Sequence, residues 1–334
     1  MKILSEAQFA AWSELRLAPI EEVREGVWAV PLPLPVKNLP WVFSYFILDA
    51  GGDLHLIDAG WNSDASWESF TAALVQLGKR VDDIRSITVT HFHPDHLGMA
   101  ERIRAASGAK VGLLTTEQET LHAMKDPDAF ERLHSHDMEN WGVPVELWPK
   151  LHAPSATGAV MPSFDADVEL ANGDLLEIPG REVRVIATPG HTSGELSLHD
   201  PSLGILYSGD HLLPNQFPGI GLGGPSITNP IADYLAALDT VAALGDIEVD
   251  PGHGYRFSGL RERVDVTRRH HLDRSAEIAV ILARGGSSSV WEIAAQVSWT
   301  AGWDNLQPAE RLSALRQTAQ HIDYLERLGR SASA

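Results

Sequence analysis

A chain of 334 residues is long enough for one large core and a small second unit, and 44% hydrophobic with 21% charged residues is ordinary for a folded soluble chain. With no Cys, disulfides, thiolate ligands and thiol nucleophiles are excluded. A net charge of −19 opposes polyanions at long range and argues against nucleic acid as a partner.

The opening Met1-Lys-Ile-Leu-Ser-Glu6 lacks the apolar core of a signal peptide. No run of about 18 apolar residues follows, so a cytoplasmic protein with no membrane partner is expected. A helix is predicted around Ser5 to Leu15, then a strand near Val27 to Val30. Pro31, Pro33 and Pro35 mark an irregular segment. Strands follow at about 42 to 48 and 54 to 58, the second ending on Asp58. From about 63 to 77 the period is helical, with Trp67, Phe70, Leu74 and Leu77 on one face.

The strand at Ile84 to Val89 runs into Thr90-His-Phe-His-Pro-Asp-His-Leu-Gly98. His91, His93, Asp95 and His96 are all metal-capable, and imidazole with carboxylate suits zinc, iron or manganese. His91 and His93 are two apart, so on extended chain they point to one side. Pro94 suits a first helical turn, and Asp95 and His96 then turn with the helix and can face a second ion. Two ions a few ångströms apart can share and activate a water.

After a strand at Lys110 to Leu113, residues 114–165 break the pattern with a mostly helical texture containing Met124, Phe130, Met138, Trp141, Trp148 and Met161. His134 and His136 sit inside it. Two apart on a helix they do not face one another, so they read as surface or pocket-rim residues. A strand near Asp167 to Glu169 resumes the pattern. Three later strands end in Gly or Pro and a metal-capable residue: His191 in Thr188-Pro-Gly-His, Asp210 in Ser208-Gly-Asp, and His253 in Pro251-Gly-His. His211, beside Asp210, suggests packing or support of a ligand. The run Pro218-Gly-Ile-Gly-Leu-Gly-Gly-Pro225 has the wrong spacing for a dinucleotide fingerprint and reads as a mobile loop bordering the site. A helix opens at Pro230, with Ile231, Tyr234, Leu235, Leu238 and Val241 inward. Arg261, Arg263, Arg268 and Arg269 with His270 and His271 read as a solvated helix face.

These residues, in this order, resemble the metallo-β-lactamase-fold hydrolases over about residues 25 to 260. The resemblance implies an α/β fold, an αββα sandwich of two sheets between helices. It divides the chain into a catalytic domain at 1–265, with the 114–165 insertion lying over the site, and a C-terminal domain at 266–334. It implies one metal on His91, His93 and His191, a second on Asp95, His96 and His253, and Asp210 bridging them. Asp58 would orient a ligand. The full set resembles the glyoxalase II, lactonase and ribonuclease branches. The cysteine-containing β-lactamase set is impossible here, and the flavodiiron branch has Glu where this chain has His93.

The tail carries a capping box at Ser289 to Glu292 and a helix from Pro308 with Leu312, Leu315, Ile322, Leu325 and Leu328 on its apolar side. It resembles the small winged-helix-like domain of the branch that includes β-lactamase-like protein 2. Lacking a basic cluster on its recognition-like helix, it reads as a docking or dimerisation module, and a homodimer is plausible.

The implied cofactors are two divalent metal ions, zinc first, iron or manganese as alternatives. The implied reaction is hydrolysis by metal-activated hydroxide, with Asp95 or Asp210 handling the proton. A small acyl substrate is expected: a carboxylic thioester, ester or lactone, with an acyl-CoA-like thioester preferred. A lactonase is disfavoured because no Tyr follows Asp210 closely. The alternative is a metal-dependent endoribonuclease, against which the charge argues. A non-catalytic binding module would require the ligand set to hold no metal.

Overall fold

A computed structural model describes residues 1–126, 135–151, 164–223, 226–286 and 289–332. The strands are β1 (Lys2–Ile3), β2 (Glu21–Arg24), β3 (Val27–Val36), β4 (Leu39–Leu48), β5 (Leu54–Ile57), β6 (Ile84–Thr88), β7 (Lys110–Leu114), β8 (Val168–Leu170), β9 (Arg184–Ala187), β10 (Leu196–Asp200), β11 (Ile205–Gly209), β12 (Glu248–Pro251) and β13 (Phe257–Ser258). The α-helices are α1 (Glu6–Ser13), α2 (Asp64–Gln76), α3 (Pro94–Leu97), α4 (Ala100–Ser107), α5 (Thr115–Ala123), α6 (Trp148–Leu151), α7 (Pro230–Ala242), α8 (Leu260–Arg284), α9 (Val290–Ala294) and α10 (Pro308–Ala332). One sheet runs β2-β3-β4-β5-β6-β7-β8 and the other β1-β13-β12-β11-β10-β9.

β4 shows why the sheets stack. Trp41, Phe43, Tyr45 and Ile47 face the second sheet and meet Val185, Leu196, Leu198 and Tyr207. The alternate residues Val42 and Phe46 face Phe70 and Leu74 of α2 and Ile103 of α4. A strand buried on both faces needs no polar alternation, and β4 is apolar at almost every position. The second sheet buries Ile186, Leu206 and Val249 against Ile231, Leu235 and Leu238 of α7 and Val264 of α8. The layers are therefore helix, sheet, sheet, helix, as expected for the fold class.

Three sequence expectations differ from what is observed. The proline segment is not irregular: Pro31 and Pro33 lie within β3 and pair with Phe43 and Trp41. β2 covers β3 only as far as Ala29. Beyond it the outer edge of β3 has no strand partner among the described residues, so prolines spaced two apart forfeit no ladder bond there. The tail also differs from a winged helix. After β13 the described residues contain helices and turns but no strand, and so no wing hairpin is seen among them. α8 runs unbroken through 265/266, and the tail packs on the insertion: Ala294 and Leu315 meet Met138, Trp141, Val143 and Leu151. Finally, the basic cluster forms a solvated face only in part: Arg261 and Arg269 are exposed, but Arg263 and His271 are buried. Arg263 is 6% exposed, donates to the Leu213 carbonyl at 2.6 Å and lies over the Phe217 ring, while Arg268 pairs with Asp239.

Candidate metal centre

β5 and β6 are parallel neighbours, so the residues that follow them emerge side by side at the carboxyl edge of the sheet. Asp58 leaves β5 with φ of +62°. Its Oδ1 accepts from the Thr90 N–H at 2.7 Å and its Oδ2 from the Thr90 hydroxyl at 3.0 Å. The ring of His96 donates from Nδ1 to the same Oδ2 at 2.7 Å. The 90–98 segment turns at once into α3, with Pro94 at its first position and Asp95 and His96 in its only turn. Gly98 closes that turn where no side chain fits: a Cβ would lie 2.2 Å from the Pro94 carbonyl oxygen and 2.8 Å from that of Gly60.

His191 follows β9, Asp210 follows β11 and His253 follows β12, all from the facing sheet. All seven expected ligands are thereby brought together. His91 Nε2 lies 2.9 Å from His93 Nδ1, which lies 3.0 Å from His191 Nε2. On the other side, His253 Nε2 is 3.2 Å from Asp95 Oδ2, and His96 Nε2 is 3.9 Å from the same oxygen. Asp210 stands between the groups. Its Oδ1 is 3.4 Å from both His96 and His253, and its Oδ2 is 3.7 Å from His191.

Outer partners aim the rings. His191 Nδ1 donates to the Gly219 carbonyl at 2.6 Å, and His253 Nδ1 to the Trp41 carbonyl at 2.8 Å. With His96 on Asp58, each of these rings keeps its Nε2 lone pair for the interior, the arrangement that imidazole ligands require. The Pro218–Gly223 stretch borders the site as expected, and it is anchored there by Gly221 N–H to Gly190 O at 2.8 Å and Leu222 N–H to His191 O at 2.9 Å.

The site suits cations. His96 Nε2, Asp210 Oδ1 and His253 Nε2 are buried with no hydrogen-bond partner among the described residues. The nitrogens of His91, His93 and His191 converge at spacings close to the roughly 3.3 Å that ligands about 2.0 Å from a tetrahedral ion would show. Three clusters of closely spaced donors can be drawn: His91, His93, His191; His91, His96, Asp210; and Asp95, His96, His253.

The electrostatics agree. Burial and the neighbouring His191 hold the His93 ring down to about 3, and burial with adjacent imidazoles also lowers His91. Burial opposes ionisation of Asp95, but the charges of His96 and His253 outweigh it and hold the carboxyl well below its usual range. Burial likewise opposes Asp210, and His253 and His96 overcome it. His96 is raised despite burial, because Asp58, Asp210 and Asp95 surround it. The carboxylates are thus ionised and ready to bind.

Among the described residues, the His211 ring makes no hydrogen bond to a ligand side chain. Its ring packs edge-on against Tyr234 at 4.9 Å, and the Tyr234 hydroxyl donates to its carbonyl at 2.6 Å. His136 is exposed, as expected for a surface residue, while His134 lies outside the described residues. Two carboxylates escaped the sequence reading. Glu195 accepts from the Asp210 N–H at 2.9 Å, and burial, then Asp210, raises its pKa well above the usual value. Glu117 accepts from Phe92, Thr192 and Gly194, and burial raises it to about 7. Glu195 stands four residues after His191 and could have been noticed. Nothing around Glu117 in the sequence marks it.

The profile of the metallo-beta-lactamase superfamily matches residues 42–253. The chain belongs to that superfamily. A beta-lactamase-like protein 2 homolog of Caenorhabditis elegans is 24% identical over 304 residues, covering 89% of this chain and 83% of the relative. A hydroxyacylglutathione hydrolase of Cereibacter sphaeroides is 26% identical over 186 residues, 54% of this chain and 53% of its own. Among solved structures, a metallo-beta-lactamase family protein of Thermus thermophilus superposes with a TM-score of 0.76 at 28% identity, covering 92% of this chain and 95% of that one. The chain is a hydrolase of this superfamily. Among the described residues, no helix is long and apolar enough to cross a membrane.

Proposed function

We propose that His91, His93 and His191 hold one divalent cation, Asp95, His96 and His253 a second, and Asp210 both, with zinc as the first choice of metal. The enzyme then hydrolyses a carboxylic thioester, ester or lactone, an acyl-CoA-like thioester being preferred. The observation that carries this reading is Asp210, whose two oxygens face the two donor groups separately. When bound, such cations lower the pKa of a water toward neutrality and polarise an acyl carbonyl.

The chain's own residues do the rest. Asp95 and Asp210, 17% and 13% exposed, are the accessible carboxylates of a site whose His96 and His253 are 0% and 2% exposed. Asp95 therefore stands where an attacking water enters, ionised and able to accept its proton. Asp210 can relay it. The imidazoles of His96, His191 and His253, fixed through their outer nitrogens, hold the geometry and need not move. The similarity to proteins named hydroxyacylglutathione hydrolase supports an acyl substrate.

The similarity to the beta-lactamase-like protein 2 homolog across 89% of this chain favours the endoribonuclease as second reading. The net charge of −19 counts against it, as do the burial of Arg263 and the pairing of Arg268 with Asp239. The test is release of free thiol from a short and a long acyl-CoA by metal-loaded protein, with Asp210→Ala as control. Turnover that the variant loses supports the thioesterase. No turnover by protein holding two metals removes that substrate and puts lactones, simple esters and single-stranded RNA next.

A further inference from the structure

Glu117 sits in the first turn of α5, where the insertion begins, and is 0% exposed. Its Oε1 accepts from the Phe92 N–H at 2.8 Å and the Thr192 hydroxyl at 2.9 Å, and its Oε2 from the Gly194 N–H at 2.9 Å. Phe92 lies between His91 and His93, and Thr192 follows His191. One carboxylate therefore ties together the two segments that supply His91, His93 and His191. Two further features hold the helix against the second segment. A Cβ on Gly194 would lie 2.2 Å from the Glu117 nitrogen, so only Gly lets the chain run so close. The hydroxyls of Thr120 and Ser193 also bond at 2.8 Å. None of these contacts reaches the His253 loop.

We propose that Glu117 is a positioning residue that sets the spacing of His91, His93 and His191, and so controls the affinity of that cation set without controlling the Asp95, His96, His253 set. This rests on reading the seven side chains as a metal centre. Three hydrogen bonds converging on one buried acceptor fix both segments, and above its pKa of about 7 the ionised carboxylate makes them charge-assisted. A Gln in its place keeps the shape and can still accept from Phe92 and Thr192, but its amide then opposes the Gly194 N–H.

The experiment titrates metal-free wild type, Glu117→Gln and Thr192→Val with Co(II). The His191 and His253 ring N–H protons, each held by a backbone carbonyl, report the two sets separately by their paramagnetic shifts. Glu117→Gln is expected to weaken Co(II) at the His191 reporter roughly 10–100-fold, the usual cost of losing an outer partner, and to leave the His253 reporter as in wild type. Thr192→Val, which removes one of the three donors, gives a smaller loss at the same reporter. Amide exchange at Gly194, whose N–H loses its acceptor, rises in metal-free Glu117→Gln. Equal loss at both reporters, or exchange unchanged from wild type, overturns the inference in favour of general support of the fold. If wild type fills both sets and Glu117→Gln matches it, the inference alone is overturned. If wild type takes up no Co(II), the metal-centre reading falls, and the inference with it.

Discussion

Replacing Asp58 by Asn tests how the site chooses the tautomer of His96. The wild-type carboxylate accepts three hydrogen bonds, from Thr90 N–H, Thr90 hydroxyl and His96 Nδ1. Asn has the same shape but only one acceptor oxygen. If that oxygen serves Thr90 N–H, the amide NH2 faces His96 Nδ1, which must accept. The ring proton then moves to Nε2, the atom that has to face a cation. If the amide turns over, two donors oppose one another in a buried site, at a cost of about 1–3 kcal/mol. Either outcome penalises the metal-competent state by a similar amount, and each 1.4 kcal/mol is a factor of about ten. One of the two zinc dissociation constants should therefore rise roughly 10–100-fold, with the fold intact. The assay is zinc titration of metal-free wild type and Asp58→Asn at pH 7.5 against a competing chelator. Unchanged affinity for both ions in the variant would refute the claim that Asp58 sets the His96 proton.

Three further outcomes are expected. Burial lowers His211, His271 and His321 to about 3 in the folded chain. The unfolded chain protonates these rings near their ordinary value of about 6.5 while the folded chain does not, so stability falls as pH drops from there toward 3, by up to ~1.4 kcal/mol per pH unit per ring. Because the raised pKa values of Glu117 and Glu195 act with the opposite sign, the check compares denaturant unfolding of metal-free wild type and His321→Asn at pH 7.5, 6 and 5; the variant should lose less stability on acidification, and an identical loss would contradict the claim. Gly98→Ala drives a methyl against backbone oxygens of Pro94 and Gly60 and should cost about 1–3 kcal/mol by overpacking, read from the denaturation midpoint. Removal of metal by a chelator should lower the unfolding temperature, since ligand at a thousand times its Kd adds about 4 kcal/mol to the folded state. An unfolding temperature that ignores chelator would show that the folded form holds no cation more tightly than the unfolded one.

The candidate metal centre was readable in the sequence because its chemistry is concentrated: His91, His93, Asp95 and His96 lie within six residues, and His191, Asp210 and His253 each follow an apolar strand beside Gly or Pro. The same is true of Asp58, which ends β5 next to the strand that carries the histidines. What escaped depends on which side of an element a residue meets. Pro31 and Pro33 look like strand breakers until the end of β2 leaves their edge of β3 open. Arg263 belongs to a basic run by sequence but to the Leu213 carbonyl by packing. Glu117 sits among Thr and Gln in an unremarkable first turn, and only tertiary contact brings Phe92, Thr192 and Gly194 to it. In the tail, expected to be winged-helix-like, the described residues after α9 form turns around Trp299 and Trp303 and no strand. Trp303 instead packs beside Trp291, 5.0 Å away.

The most direct test of the two-cation centre is anomalous diffraction from crystals of zinc-loaded protein, collected on both sides of the zinc absorption edge. Two peaks are predicted, one among His91, His93 and His191 and one among Asp95, His96 and His253, with the Asp210 carboxylate between them. A single peak, or peaks away from Asp210, would contradict the assignment.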